Sequence, residues 1–334
     1  MALKKILVTG GAGFIGSNLV DVLAPSNDVT VVDDLSTGSI ENIQHHIDKG
    51  TIHFVEADIR DLDKMYELTK NIEIIFHLAV QCVRVSLHDP RLVHEVDATG
   101  TLNMCMAAHR NGVQKVVYTS SAEVYGDGKI IPIDETHPLE SSTPYGAAKL
   151  SGELYLGVYR RTYGLPSVIL RLFNTYGPRE HFEGLYGEVI PRFVVRAMNG
   201  LPPVIFGDGN QTRSFHEVSD TVRAIVMASE SDEALGETIN IGGEEEITIN
   251  NLAKTILEIL GEESRITPEH AEQRPGEIMR HAADMSKARK MLGFNPKYKL
   301  DDGIRKYIEW VRKTYSDPSE LLKQIDFDWK GKAS

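Results

Sequence analysis

Tyr145 and Lys149 stand four positions apart in the string STPYGAAKL, and Gly10, Gly13 and Gly16 punctuate VTGGAGFIGS near the start of the chain. On a helix, side chains at i and i+4 share a face, so a phenol would lie one turn from an ammonium. A tyrosine with a reference pKa near ~10 is a poor base at neutral pH, but a neighbouring positive charge favours its phenolate. Such a pair can exchange a proton with an alcohol while hydride moves at the same carbon. Most Tyr-x-x-x-Lys pairs are only solvated helix faces. The glycine string sharpens this one. It reads as a strand-to-helix turn whose glycines permit a tight bend and close approach of backbone to a pyrophosphate. The helix from Phe14 would offer its first N–H groups to the phosphates. Together the two features point to hydride transfer between a bound nicotinamide and an alcohol carbon.

Asp33 closes the second predicted strand, roughly twenty residues beyond the first glycine, where a carboxylate can accept from ribose hydroxyls and repel a 2′-phosphate. Asp34, Leu35, Ser36 and Thr37 follow, with no arginine among them. The expected cofactor is therefore NAD rather than NADP.

These groups need a scaffold. Nearly continuous hydrophobic runs predict strands at 5–9, 29–33, 52–56, 74–78, 115–120 and 167–173, of the kind covered on both faces. Helical patterns fall at 14–23, 61–69, 90–110 and 144–163. The alternation predicts an α/β fold, a Rossmann-type doubly wound parallel sheet with ligands at the carboxyl ends of its strands. After Gly177 the texture changes: Pro178, Pro191, Pro202, Pro203, Gly207 and Gly209 punctuate shorter segments. Helices are predicted at 189–198, 250–260 and 300–315. The organisation expected is an NAD-binding domain over 1–177, with return segments near 213–242, and a smaller, mainly substrate-binding domain over 178–334. Residues 316–334 are expected to be mobile.

The chain has 334 residues, 41% hydrophobic and 25% charged, with a net charge of −12. That balance argues against nucleic acid as a partner, because phosphate backbones demand a basic face. No apolar run reaches the ~18 residues of a membrane span. The opening MALKKILVTGG leads straight into the glycine turn and reads as a first strand, not a signal peptide. Cys82 and Cys105 cannot build a disulfide framework or a cysteine zinc site; both are expected to be reduced and structural. The expected compartment is the cytoplasm, and no metal is expected.

Taken in order, VTGGAGFIGS, VVDDLSTG, EADIRD, FHLAV, VYTSSAEVYG, PYGAAKL, LRLFNTYGPRE, PPVIFGDGNQTRSF and QRPGE resemble the extended short-chain dehydrogenase/reductase family, specifically its NAD-dependent nucleotide-sugar epimerases and dehydratases. The resemblance spans nearly the whole chain. It implies that Phe14 and Ile15 line the pyrophosphate, that Asp34, Ser36, Thr37 and Gly38 join Asp33 on the cofactor, and that Asp58 and Ile59 meet the adenine. Leu78, Ala79 and Val80 would border the nicotinamide ribose. Ser121 matches a catalytic hydroxyl that shares a hydrogen bond with the sugar 4-hydroxyl, beside Tyr145 and Lys149. Asn174 matches a substrate contact, Arg213 and Arg274 match arginines that hold a diphosphate, and Val204 and Phe206 match the segment flanking the nucleotide base. Val189 and Glu277 complete the implied substrate set. Helices 90–110 and 144–163 correspond to the family's homodimer interface.

The implied substrate is a nucleotide-diphosphate sugar and the implied chemistry begins with oxidation at C4. Many dehydratases carry Asp-Glu where this chain has Ala122-Glu123, and alanine cannot protonate a leaving C6 hydroxyl. The tilt is therefore toward a 4-epimerase of the UDP-glucose/UDP-galactose type. The alternatives are a 4,6-dehydratase, or a UDP-glucuronate epimerase or decarboxylase using Glu123, with a non-catalytic NAD-binding sensor or a plain alcohol dehydrogenase further off. Uronate-specific relatives often place an arginine where this chain has His181. Asp97 stands where the family usually carries asparagine, and the stretch REHFEGLYGEVIPRF is longer than in many simple epimerases.

Overall fold

The computed structural model describes residues 3–273 and 278–325 of the chain. The apolar runs become β1 (Lys5–Thr9), β2 (Asp28–Asp33), β3 (Ile52–Glu56), β4 (Ile74–His77), β5 (Lys115–Ser121) and β6 (Ser167–Leu172). Shorter strands follow: β7 (Asn174–Tyr176), β8 (Val204–Phe206), β9 (Thr212–Glu217), β10 (Thr238–Ile241), β11 (Glu246–Thr248), β12 (Glu269–Ala271) and β13 (Arg280–His281). Seven of them form one sheet in the order β10-β6-β5-β4-β1-β2-β3. Every pairing in it is parallel. Alternate side chains enter opposite layers. Ile6 and Val8 pack with Leu19, Val20 and Ile225 beneath helices Phe14–Leu23 and Val218–Glu230. Leu7 instead packs with Met65, Met104 and Leu156 beneath Leu62–Leu68, Thr101–Arg110 and Pro144–Tyr163. This is the expected Rossmann-type fold, and its strand order reverses between β1 and β4, where a crevice opens at the carboxyl ends.

The helix expected over 90–110 is not continuous. Pro90–Val93 and Thr101–Arg110 are α-helical, but His94–Gly100 forms a wider π turn between them. Thr101 Oγ1 donates to the Asp97 carbonyl at 2.6 Å, the kind of side-chain-to-backbone bond that competes with regular helix pairing. Gly100 meanwhile lies so close to Ile59 that an added Cβ would meet that side chain at 2.5 Å. Hydrophobic periodicity does not register such a change, since both segments keep one face inward.

Helix Pro144–Tyr163 begins and ends as its sequence dictates. The Thr143 side chain accepts from the Gly146 N–H, Pro144 occupies the first turn, and Gly164 closes the helix in a left-handed conformation. A buried polar cluster then fixes it to the sheet. Arg171 on β6 makes a two-pronged ion pair with Glu153, at 2.9 and 2.6 Å. Ser120 Oγ on β5 donates to the same carboxylate at 2.5 Å. Arg171 also donates to the Tyr125 hydroxyl at 2.8 Å, which donates to Asn240 on β10 at 2.7 Å.

Beyond Gly177, helices Val189–Met198, Ile249–Leu260 and Leu300–Thr314 enclose a second core around Phe193, Ile256, Tyr307 and Ile308. Between these pieces the chain returns to the large sheet, contributing Val218–Glu230 and β10. The tail is less mobile than its sequence suggests: Ser319–Ile325 is a helix with Leu321 and Ile325 buried in the second core. Residues 326–334 of that expected tail lie outside the described residues. Among the described residues no helix is long and apolar enough to cross a membrane.

Both members of the Glu153–Arg171 pair are almost fully enclosed, with side chains 6% and 5% exposed. Removing one leaves an uncompensated buried charge, which costs about 3–5 kcal/mol. Glu153→Ala should lower stability by that amount in urea unfolding; a loss under about 1 kcal/mol would mean the pair does not hold the helix.

Candidate active site

A cleft of about 350 Å³ opens at the carboxyl ends of the central strands. Gly10, Gly13, Phe14, Ile15 and Gly16 line one end of it. Gly10 has φ +69°, and a Cβ there would meet the Ala79 backbone nitrogen at 2.7 Å. A Cβ at Gly16 would sit 2.0 Å from the Gly10 carbonyl oxygen. Asp33 at the end of β2 accepts from the Ala12 N–H and the Leu35 N–H, each at 2.9 Å. Burial raises its carboxyl, and these two N–H groups work the other way. Asp34, Ser36 and Thr37 line the cleft beside it, and Gly38 lies against it, where a Cβ would approach Asp33 Oδ1 to 2.8 Å. Asp58 and Ile59 line the far wall, with Asp58 held by Arg60 at 2.8 Å through Nε. Leu78, Ala79 and Val80 continue from β4 along the floor.

The proton-transfer candidates converge at the other end. Ser121, the last residue of β5, lines the cleft and accepts from the Glu123 N–H at 3.2 Å. Tyr145, on the first turn of its helix, shares a hydrogen bond with Ser121. Lys149 is 2% exposed, its ammonium 4.4 Å from the centre of the Tyr118 ring. Burial first, and the Asp97 carboxylate second, push the Tyr145 phenol well above its ordinary value, and the Ser121 hydrogen bond opposes them. The ammonium is itself destabilised by burial, which Asp97 and Glu153 partly offset.

Glu123 also lines the cleft, its carboxylate accepting from Thr143 Oγ1 at 3.5 Å. Asn174 lines it too, and its buried Oδ1 has no hydrogen-bond partner among the described residues. Glu180, His181, Tyr186 and Glu188 of the long stretch after Arg179 form the outer wall, with Glu188 paired bidentately to Arg84 at 2.9 Å. Burial raises the Glu180 carboxyl well above its usual range, and the Glu188 charge adds to this. Arg179 ties the start of that stretch to Asp21 at 2.8 Å.

Val189, Val204, Phe206 and Arg213 do not line this cleft. Val189 follows directly on the lining Glu188. Val204 and Phe206 belong to β8, paired with β12. Arg213 on β9 donates to the Thr212 and Ile278 carbonyls at 2.8 and 2.7 Å. Arg274 and Glu277 lie outside the described residues. Sequence reasoning missed Gln81, Cys82 and His281, all in the lining. Cys105 is a core residue as expected, but Cys82 is a wall of the cleft. His281 is brought from β13 and donates through Nε2 to the Ala122 carbonyl at 3.2 Å; burial, then the charge of Arg213, lowers its imidazole to about 4. No local spacing marks a residue delivered from so far along the chain.

The GDP-mannose 4,6 dehydratase family matches residues 7–307. A putative UDP-glucose 4-epimerase of Methanocaldococcus jannaschii is 38% identical over 311 residues, covering 92% of this chain and 98% of that protein. The structure of a UDP-N-acetylglucosamine 4-epimerase from Methanobrevibacter ruminantium, in complex with UDP-N-acetylmuramic acid, superposes with a TM-score of 0.89 at 34% identity, covering 94% of this chain and all of that one. A UDP-glucuronic acid 4-epimerase from Bacillus cereus, in complex with UDP-glucuronic acid and NAD, has a TM-score of 0.87 at 32% identity over 93% of this chain and 100% of its own. Nucleotide-sugar decarboxylases and dehydratases are also among the relatives, at 35% identity. The chain belongs to the NAD-dependent nucleotide-sugar epimerase and dehydratase family of short-chain dehydrogenases/reductases. NAD is the cofactor of that family, and the site fits it: a cradle with no room for a Cβ at Gly10 or Gly16, followed by Asp33 rather than a cation.

Gly16→Ala forces a backbone clash that only movement of the turn relieves, at a cost on the order of 1–3 kcal/mol. NAD affinity measured by calorimetry should fall and the melting temperature should drop; unchanged values in both would rule out the cradle.

Proposed function

We propose that the chain is an NAD-dependent 4-epimerase of a nucleotide-diphosphate hexose, of the UDP-glucose/UDP-galactose type, working through a transient 4-keto sugar. The observation that carries this is the hydrogen-bonded Ser121–Tyr145 pair at the mouth of β5, next to an Ala122 that has no proton to give. Epimerisation needs one group to take and return the C4 hydroxyl proton; loss of water from C6 needs an additional acid. Tyr145 is the base, and Ser121 shares the hydroxyl hydrogen bond and keeps the phenol oxygen aimed at C4. Lys149 supplies positive charge behind the phenol. NAD, when bound by the cradle, would supply the two-electron acceptor and donor for that carbon. Lys149, 2% exposed, is kept from water behind the half-buried Tyr145.

Gly10, Gly13, Phe14, Ile15, Gly16, Asp33, Asp34, Ser36, Thr37, Gly38, Asp58, Ile59, Leu78, Ala79 and Val80 hold the cofactor in this reading. Asn174 supports a sugar contact: an unpaired buried carbonyl oxygen is costly, and a sugar hydroxyl would satisfy it. Val189, Val204, Phe206 and Arg213, with Arg274 and Glu277, bind the nucleotide diphosphate. The division of labour is cofactor binding by 1–177 and the return near 213–242, and nucleotide-sugar binding mainly by 178–334. The homodimer forms through 90–110 and 144–163, whose outer face exposes Leu154 (60%), Val158 (42%) and Tyr163 (52%). The second reading, decarboxylation or epimerisation of a uronate, is favoured by Glu123 in the lining and by the similarity to a UDP-glucuronic acid 4-epimerase and a UDP-N-acetyl-glucosaminuronate decarboxylase.

The purified protein, given UDP-glucose, UDP-galactose, their N-acetyl forms and UDP-glucuronate, should yield C4 epimers by NMR and mass spectrometry. A 4-keto-6-deoxy product would replace the proposal with dehydration, and a pentose product with decarboxylation. Tyr145→Phe should lower kcat by about 10²–10⁴-fold while NAD stays bound; retained turnover would remove Tyr145 as the base.

A further inference from the structure

Asp21, His45 and His46 converge beside the helix that opens from the glycine cradle. Asp21 lies on that helix, Phe14–Leu23. The two histidines belong to the short helix Gln44–Asp48. His46 Nε2 stands 2.9 Å from Asp21 Oδ1, and His45 Nε2 stands 3.1 Å from the same oxygen. Among the described residues, these are the three His, Cys, Asp or Glu side chains whose donor atoms all lie within 4.8 Å of one another. The groups behind them are also in place. His46 is buried, with its other ring nitrogen 2.9 Å from Thr51 Oγ1. Arg179 holds Asp21 Oδ2 at 2.8 Å, which turns Oδ1 toward the imidazoles. His45 lies against the His46 ring, centroids 4.1 Å apart, with 44% of its side chain exposed. Metal ligands are oriented in this way, through the atoms that do not face the ion. As a hydrogen-bonded group alone, an exposed imidazole against a carboxylate contributes little.

We propose that Asp21, His45 and His46 form a binding site for one divalent transition-metal ion of the zinc class, with water in the fourth position. Tetrahedral zinc, bonded to nitrogen and oxygen at about 2.0–2.2 Å, spaces its ligand atoms roughly 3.3 Å apart. The separations of 2.9 and 3.1 Å fall slightly short of that, so a small outward shift of the side chains admits the ion. Two imidazoles and one carboxylate suit zinc; calcium and magnesium take oxygen ligands instead. A chain of net charge −12 also attracts cations. The ion would tie the cradle helix to the segment after β2. In that segment Asn42 donates to the Ala12 carbonyl of the glycine turn at 2.9 Å. Arg179, on the other carboxylate oxygen, directly precedes Glu180 of the cleft's outer wall. The staple therefore joins three segments that surround the cofactor cleft. No metal is expected from the sequence because Asp21 stands 24 and 25 positions from the histidines, too far for a local ligand motif.

The test is independent of the sugar chemistry. NAD-loaded protein, dialysed against a chelator and then freed of it, would be titrated with zinc chloride by calorimetry. One ion per chain should bind with a Kd of about 10 μM or tighter, and the melting temperature should rise with zinc concentration. His45→Ala and His46→Gln should each weaken binding by about tenfold or more. His53→Gln, at an exposed histidine paired with Asp28, should leave it unchanged. Weaker binding to the unsubstituted chain overturns the proposal. So does unchanged affinity in either ligand variant, which would mark an adventitious ion held elsewhere. Should His46→Gln fail to fold by circular dichroism, His45→Ala, at an exposed position, decides alone.

Discussion

The site depends on one buried ion pair. Tyr145 and Lys149 are useful only if their helix stands at a fixed height and rotation over the carboxyl ends of β4 and β5. The fork of Arg171 against Glu153, with Ser120 on the same carboxylate, sets both. Glu153 is one helical turn beyond Lys149, on the same face, so the clamp and the chemistry share a rigid segment. Planar two-pronged pairing carries directional information that apolar packing lacks. Its stabilising value against a hydrophobic replacement is small; its value here is orientation.

A second constraint is charge in a dry place. Lys149, Asp97, Tyr118 and His77 are all buried, and Tyr145 is half-buried where it lines the cleft. Desolvation dominates each of them, and it drives every one toward its neutral form. The helix spacing alone suggests a simple cation-assisted phenol. Burial, then the Asp97 carboxylate, instead holds the Tyr145 phenol above its ordinary value.

Much of the fold was legible because its elements obey local rules. The run Lys5–Thr9, the glycine turn and Phe14–Leu23 are found at the expected residues, as is Pro144–Tyr163 with its threonine cap and closing glycine. Part of the cleft lining was legible for the same reason: Gly10, Asp33 and Leu78 stand at or just beyond strand ends, which follow from strand boundaries. What was not legible is what depends on long-range delivery. His281 enters the cleft from β13, and Gln81 bridges to Ser36 at 3.0 Å across the crevice. The π turn at 94–100 was hidden because its periodicity is close to that of a helix. The desolvation that raises the Tyr145 phenol was hidden because spacing reports proximity and says nothing of solvent.

The return of the chain to the large sheet bears on how the protein is made. Asn240, on β10, receives the hydrogen bond from Tyr125 that ends the Arg171 cluster, and its own amide donates to the Ile133 carbonyl at 2.9 Å. Until β10 docks, β6 is an open edge, and such edges invite pairing with other chains. During synthesis the glycine cradle and the Tyr–Lys helix therefore leave the ribosome long before their scaffold can close. The first half of the nascent chain must wait, incomplete and exposed, for residues that come from beyond the start of the second core.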